Sequence, residues 1–201
     1  MMNTKALYKL TYGLYLLSVR AWEQDNACII NTAVQVASTP LRLAISVQKS
    51  NKTHAMIMES GTFTISALTQ EAPFALFERF GMRSGRDENK FDGFADAERA
   101  NNGVLRLNRY ANAYMCCQLV HSVDLGSHTL FIAEVTDMQV LSDAPSCTYA
   151  YYQSDIKPKP QAAKKKGWVC TVCGHVYEGE TLPDDYICPL CKHGKEDFQP
   201  L

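Results

Sequence analysis

The sequence predicts a mainly β protein, a closed barrel of short strands followed by a separate small module folded around a metal. Three observations carry this. Short runs rich in β-branched residues, broken by turn residues, occupy roughly the first 150 positions. A stretch of lysine, proline and alanine without apolar periodicity follows at Lys157–Lys166. Two Cys-x-x-Cys pairs, Cys170 with Cys173 and Cys188 with Cys191, come after it.

In chain order, Lys5 to Tyr12 has helical spacing, and Leu14 to Val19 is an apolar run too short to span a membrane. Trp22 to Asn26 is a polar turn. Cys28 to Val36 and Leu41 to Val47 are β-branched runs separated by Ser38-Thr39-Pro40. Thr53 to Ser60 is helical, Thr62 to Leu68 is a strand, and Pro73 to Phe80 is helical with proline at a favourable first-turn position. Tyr114 to Val123 and Thr129 to Val140 complete the strands. Many short strands with few helices point to a barrel.

A chain of 201 residues, 46% hydrophobic and with a formal net charge of −1, has enough apolar material for one sizeable core and a satellite. The expectation is a cytoplasmic protein with no membrane segment and no targeting signal. Cys28, Cys116, Cys117 and Cys147 then read as buried thiols rather than disulfides. The adjacent pair Cys116-Cys117 should point to opposite faces of a strand, which would expose one of them.

Lys157 to Lys166 carries five lysines and two prolines. If extended, it would reach roughly 30 Å, enough for a small domain to move across a neighbour. From Trp168 to Leu201, two lysines stand against six acidic residues, a net of −4. An acidic module on a basic tether suits electrostatically steered docking, and it also suits a plain solvated spacer. The acidic balance argues against nucleic acid as a partner.

Each Cys-x-x-Cys pair lets two thiolates converge from one tight turn, and two facing turns close a tetrahedron around an ion. Fourteen residues separate the pairs. Spacing leaves zinc and iron both open. Trp168, Tyr177, Tyr186 and Phe198 supply an aromatic core for a segment too small to stay folded without its metal.

These residues resemble rubredoxin. The resemblance runs through Trp168-Val-Cys-Thr-Val-Cys-Gly-His-Val-Tyr177, Leu182-Pro-Asp-Asp-Tyr-Ile-Cys-Pro-Leu-Cys191 and Gly194-Lys-Glu-Asp-Phe198. It implies one iron held by Cys170, Cys173, Cys188 and Cys191. Two features depart from the common pattern: the loop between the pairs is shorter, and Lys192 stands where glycine is usual.

The barrel region has no Gly-rich phosphate loop of the dinucleotide type, which argues against a Rossmann domain. It has three polar clusters instead: Asn31 to Pro40, Lys49 to His54, and Ser84-Gly85-Arg86-Asp87 with Lys90-Phe91. Each read alone is an ordinary polar loop. Together they suit one phosphorylated, flat heteroaromatic ligand, with lysine and hydroxyls for the phosphate and strand-edge amides for the ring.

The order of these clusters, with Leu10-Thr-Tyr-Gly-Leu-Tyr15, Gly61-Thr-Phe-Thr-Ile-Ser66, Phe80 to Phe91 and Gly126 to Val135, resembles the flavin reductase family. That resemblance implies an FMN-binding split β-barrel, usually homodimeric. By it, Asn31, Thr32, Gln35 and Ser38 would line the isoalloxazine, and Lys49, Asn51, Thr53, Ser84 and Lys90 would lie near the ribityl chain and phosphate. His128 would stand near the nicotinamide of NAD(P)H. Ser127 and Ala133 depart from the family's Gly-Asp-His and later glycine.

The implied domains are a flavin reductase-like barrel over 1–154, a linker over 155–167 and a rubredoxin-like module over 168–201. A flavin takes two electrons as hydride and releases them singly, whereas a one-iron site handles one at a time, so the fusion reads as a converter. The combination resembles the high-molecular-weight rubredoxins. Their resemblance implies an NAD(P)H-dependent oxidoreductase whose acceptor is a redox partner protein, a flavodiiron nitric oxide or oxygen reductase. Two other readings remain. One is a diffusible NAD(P)H:flavin reductase with a structural zinc ribbon; the other is a binding module.

Overall fold

Trp22 and Glu23, with φ of 50° and 59°, reverse the chain between β1 (Tyr15–Ala21) and β2 (Gln24–Ile30). Positive φ at both central residues gives a hairpin turn whose twist matches that of paired strands. The polar turn expected over Trp22–Asn26 is therefore two residues long. The apolar run from Leu14 becomes β1, buried on both faces along Leu16–Val19. The computed structural model describes residues 4–159 and 167–201, and the chain divides into two compact units, Met1–Ile156 and Lys157–Leu201. Residues 160–166 of the expected linker lie outside the described residues.

The run Cys28–Val36 is not one strand. β2 stops at Ile30, and β3 (Ala33–Ser38) starts after Asn31-Thr32. β4 (Leu41–Gln48) follows across a cis Thr39–Pro40 bond. Helix α1 (Lys52–Ser60), β5 (Thr62–Leu68), α2 (Phe74–Phe77), β6 (Ala97–Arg99), β7 (Leu105–Leu107), β8 (Ala111–Asp124), β9 (His128–Val140) and α3 (Tyr149–Tyr151) complete the first unit's main elements. The seven-stranded sheet has the order β2-β1-β5-β8-β9-β4-β3.

That order, with so short a link between β2 and β3, dictates the shape. Laid flat, the two edge strands would lie about 29 Å apart at roughly 4.8 Å per strand. The Asn31-Thr32 link can span only about 11 Å. The sheet must therefore curl until its edges approach, giving a barrel split between β2 and β3 rather than a closed one. Register shifts in the β8–β9 ladder, at Cys116/Cys117 and Leu119/His121, supply the local bends that curling needs.

Leu17, Val19, Ile45, Phe63, Ile65 and Phe131 fill the interior, and α1 contributes Met56 and Ile57. Gly61 ends α1 with φ of 65°, its amide bonded to Ile57 O at 2.8 Å, a left-handed cap that glycine adopts without a Cβ clash. The other face of β1 and β5 is covered as well. There Leu16 and Leu68 pack against Leu76, Phe77, Phe80 and Tyr152. The expected helix Pro73–Phe80 is a four-residue helix capped by Pro73, widening into a π turn over Glu78–Met82.

The hairpin β6–β7, which the sequence pattern did not predict, covers a polar layer. Asn102 Nδ2 donates to Phe63 O at 3.1 Å and Thr64 Oγ1 at 3.0 Å, and Leu107 N donates to Ser66 Oγ at 3.1 Å. Cys116 and Cys117 are both buried, correcting the expected exposure of one. Cys117 faces the barrel interior, while Cys116 lies with Ala100 and Tyr114 on the other face.

In the second unit β10 (Trp168–Cys170) pairs with β11 (Val176–Tyr177) and β12 (Phe198–Pro200). Three of the four expected aromatics form its core, while the Trp168 indole N–H donates to Glu180 O at 3.4 Å. Tyr186 meets Tyr177 at 4.7 Å and Phe198 at 5.3 Å between ring centroids. No helix among the described residues is long and apolar enough to cross a membrane.

Candidate functional site

The four sulfurs of Cys170, Cys173, Cys188 and Cys191 lie within 4.8 Å of one another. Sulfurs bound tetrahedrally at about 2.3 Å from an ion would be roughly 3.8 Å apart, so this donor set fits a four-thiolate metal. Two matching turns build it. Cys170 N donates to His175 O and its carbonyl accepts from Gly174 N, each at 2.8 Å. Cys188 N donates to His193 O at 2.8 Å and its carbonyl accepts from Lys192 N at 2.9 Å. Gly174 has φ of 80° and Lys192 has φ of 62°. Lys192 thus takes the left-handed conformation that glycine holds in the first turn.

The second turn directs the amides of Leu190 and Cys191 at the Cys188 sulfur. Around the first turn, the ammonium of Lys157 donates to Thr171 O and Val172 O, both at 2.6 Å. Ile187 and Leu190, 60% and 48% exposed, flank the cysteines of the second turn.

In the barrel unit, the residues expected near a phosphate separate into a surface group and an inner group. Gln48 pairs with His128, and Lys49 N donates to Ser127 O at 3.0 Å, so Lys49 and His128 share one end of the β4–β9 ladder. Lys49 Nζ is ion-paired with Asp124 at 2.6 Å. The Lys49 hydrogen bond and the Gly126 amide hold the Asp124 carboxyl below its usual range. His128 Nδ1 lies 2.8 Å from Ser127 Oγ. Asn51 caps α1, its side chain accepting from Thr53 N at 3.0 Å.

Thr53 and Lys90 are drawn inward. Thr53 is fully buried and accepts from Asn26 Nδ2 at 2.9 Å. Lys90 is 4% exposed, and its ammonium donates to Ala27 O and Phe80 O, both at 3.0 Å. Burial lowers its pKa. Both side chains are held inside the fold by these bonds, since two buried carbonyls and a buried amide take them as partners. Ser84 stays at the surface and accepts from Arg86 N at 3.1 Å.

Two further cations, with no role assigned from sequence, join these groups. Lys52 Nζ donates to Gly85 O at 2.9 Å, and Arg86 reaches Ser50 O at 3.4 Å, tying the 84–90 loop to the start of α1. Both lie within the polar clusters already singled out. His54, the last residue of the Lys49–His54 cluster, has no role assigned from sequence: its Nε2 lies 2.8 Å from Thr129 Oγ1, and its ring is 5.3 Å from that of Phe131. Burial, then the Lys49 charge, lowers its pKa. Asp124 has no local signal, since 75 residues separate it from Lys49.

Asn31 and Thr32 form the link across the split, joined by a Thr32 Oγ1 to Asn31 Oδ1 bond at 3.0 Å. Gln35 and Ser38 lie further along β3, exposed, with Gln35 Nε2 donating to Ser38 Oγ at 3.4 Å. Ser38 pairs with Leu41, which puts it roughly 23 Å along the ladder from Gln48, at about 3.3 Å per residue. The structure therefore groups Lys49, Asn51 and His128 closely and leaves Gln35 and Ser38 apart from them.

Comparison with known proteins agrees with this architecture. Residues 7–159 match the flavin reductase like domain, and residues 168–199 match the rubrerythrin, rubredoxin-like domain. The chain is 34% identical to a high molecular weight rubredoxin of Moorella thermoacetica, covering 100% of both chains. It is 37% identical to a ferric-chelate reductase (NAD(P)H) of Archaeoglobus fulgidus over 75% of this chain and 89% of that one. A diflavin flavoprotein of Nostoc sp. matches over 69% of this chain but only 25% of its own length, at 26% identity. Among solved structures, the flavin reductase BorF of a bacterial two-component tryptophan halogenase shares the fold at a TM-score of 0.65 and 20% identity, covering 73% of this chain and 93% of that one. A split barrel followed by a four-thiolate module, matched along its full length, makes this chain an oxidoreductase of the flavin reductase-like family with the domain architecture of the high molecular weight rubredoxins.

Proposed function

We propose that this protein takes reducing equivalents from NAD(P)H and delivers them singly to an external redox protein, using FMN on the barrel and one iron at Cys170, Cys173, Cys188 and Cys191. The observation that carries the reading is the four-sulfur cluster, within 4.8 Å, on a chain whose remainder is flavin reductase-like. Bound FMN supplies hydride acceptance and stepwise electron release, and bound iron supplies a one-electron relay.

The chain's own residues bind, orient and balance charge. Lys49, Lys52 and Arg86 bring cations to the start of α1, where Asn51 and Ser84 add polar groups for a phosphate and ribityl chain. Asn31, Thr32, Gln35 and Ser38 offer amides and hydroxyls to the edge of a flat ring. His128, oriented by Ser127, stands ready for the nicotinamide. Thr53 and Lys90 serve the site from behind by fixing its wall.

The acceptor we assign is a flavodiiron nitric oxide or oxygen reductase. The partial match to a diflavin flavoprotein supports a flavoprotein in that role. The exposed Val34 and Val36 on edge strand β3 support a homodimer. The buried free thiols support a reducing, cytoplasmic setting.

The test is an anaerobic visible spectrum of the purified protein before and after NADH, with metal analysis on the same sample. Flavin and ferric-thiolate bands that both bleach are expected. Flavin absorption alone, with zinc that iron reconstitution cannot replace, would leave a flavin reductase with a structural tail.

A further inference from the structure

The two cysteine turns share their backbone bonding, and the first also receives an ammonium, that of Lys157. In the second turn, the N–H ends of Leu190 and Cys191 face the Cys188 sulfur. The equivalent positions of the first turn are Val172 and Cys173, whose N–H groups belong to the peptide units carrying Thr171 O and Val172 O. Those two oxygens receive the ammonium of Lys157, at 2.6 Å each. A cation on the oxygen end of a peptide polarises its N–H end, strengthening any bond that end makes. It also places a positive charge against the turn that carries Cys170 and Cys173.

We propose that Lys157 is a positioning residue that raises the reduction potential of the iron site by holding its charge against the first cysteine turn. The inference rests on the iron reading above. One-electron reduction converts ferric to ferrous iron, breaks no bond and adds one negative charge to the four-thiolate centre. A nearby cation therefore favours the reduced form, and polarised N–H donors act in the same direction. Lys157 is part-buried at this contact, so its charge is screened less than that of a freely solvated lysine. From sequence alone Lys157 is the first residue of a basic stretch that suits either a docking tether or a solvated spacer.

The experiment is a spectroelectrochemical titration of the full chain, stripped and reconstituted with iron, using small-molecule mediators as the one-electron donors and following the ferric-thiolate band. Lys157→Met removes the charge and both donated bonds, and Lys157→Arg keeps a cation. The Met variant should hold a ferric-to-ferrous ratio about fivefold to tenfold higher at a given potential, a tenfold change being about 59 mV for one electron. The Arg variant should stay within about twofold of the parent. The flavin midpoint in the same sample should not move. An iron midpoint in Lys157→Met within about twofold of the parent would overturn the proposal. If the Met variant does not retain iron, Lys157→Gln, which keeps a donor without the charge, is read by the same criterion. Metal content before reconstitution tests the iron reading separately, so failure of one is not failure of the other.

Discussion

The ammonium of Lys90 donates to the carbonyl of Ala27 at 3.0 Å across a gap of 63 residues, and both groups are buried. A second bond, to Phe80 O, makes Lys90 a pin between β2 and the π turn. Replacing it with methionine keeps the packing volume but strands two carbonyls. Lys90→Met should lower the unfolding free energy by about 2–3 kcal/mol, read as a shift in urea midpoint at constant slope. Loss of FMN affinity without loss of stability would instead make Lys90 a phosphate ligand.

Lys192 adopts φ of 62° beside Cys188, whereas the matching Gly174 does so without a side chain. A left-handed conformation costs an L-residue about 1–2 kcal/mol, and glycine gives back about 0.5–1 kcal/mol through the entropy of its unfolded chain. Lys192→Gly should therefore stabilise the metal module by up to about 1 kcal/mol. Native-state amide exchange in the second cysteine turn would report it as slower exchange. Faster exchange would mean that the lysine side chain supports the turn.

Burial pushes the Cys117 thiol up to about 12 from 9.0, and that of Cys147 to about 11. Below pH 9.0 both the folded and unfolded states keep these protons, and the thiols add no pH dependence. Above it the unfolded chain ionises first and so binds fewer protons, which makes stability fall with rising pH. Each thiol contributes a slope of about 1.4 kcal/mol per pH unit until its folded value is reached. Cys117→Ala should remove one thiol's share of this slope, measured by urea unfolding between about pH 9.5 and 11. An unchanged slope would mean that Cys117 ionises in the folded state.

Cys173→Ser removes one of four thiolates while leaving the barrel untouched. NADH-driven flavin reduction should stay at the parent rate, and reduction of an external one-electron acceptor should fall to background. Stopped-flow absorbance at the flavin band separates the two activities. Their joint loss would argue against separate flavin and iron functions.

The metal module was legible because its information is local: each Cys-x-x-Cys turn sets two ligands within four residues, and the aromatic core lies in the same short segment. Strand runs such as Leu41–Val47 and Thr62–Leu68 were legible for a similar reason, since β-branched residues state their preference in place. The hairpin β6–β7 was not, because its strands are three residues long and carry charge. Nor was the break in Cys28–Val36 at Asn31-Thr32, because a single asparagine inside a β-branched run does not by itself mark the end of a strand. The polar clusters could be picked out in the sequence, which does not tell an inward side chain from an outward one. Thr53 and Lys90 look like ligands in the sequence and serve as struts in the fold.

The sequence by itself determined the composition of each part: a β-rich region, a four-thiolate centre and the polar residues available to a phosphorylated flavin. Only the tertiary contacts set which of those residues face solvent and which groups their charges meet. Lys49 meets Asp124, Lys52 meets Gly85, and Lys157 meets the first cysteine turn. These pairings follow from strand order and loop closure, which bring distant segments together. A charge acquires its role from the neighbours that share or exclude water around it, and those neighbours are set by the fold rather than by adjacency in the chain.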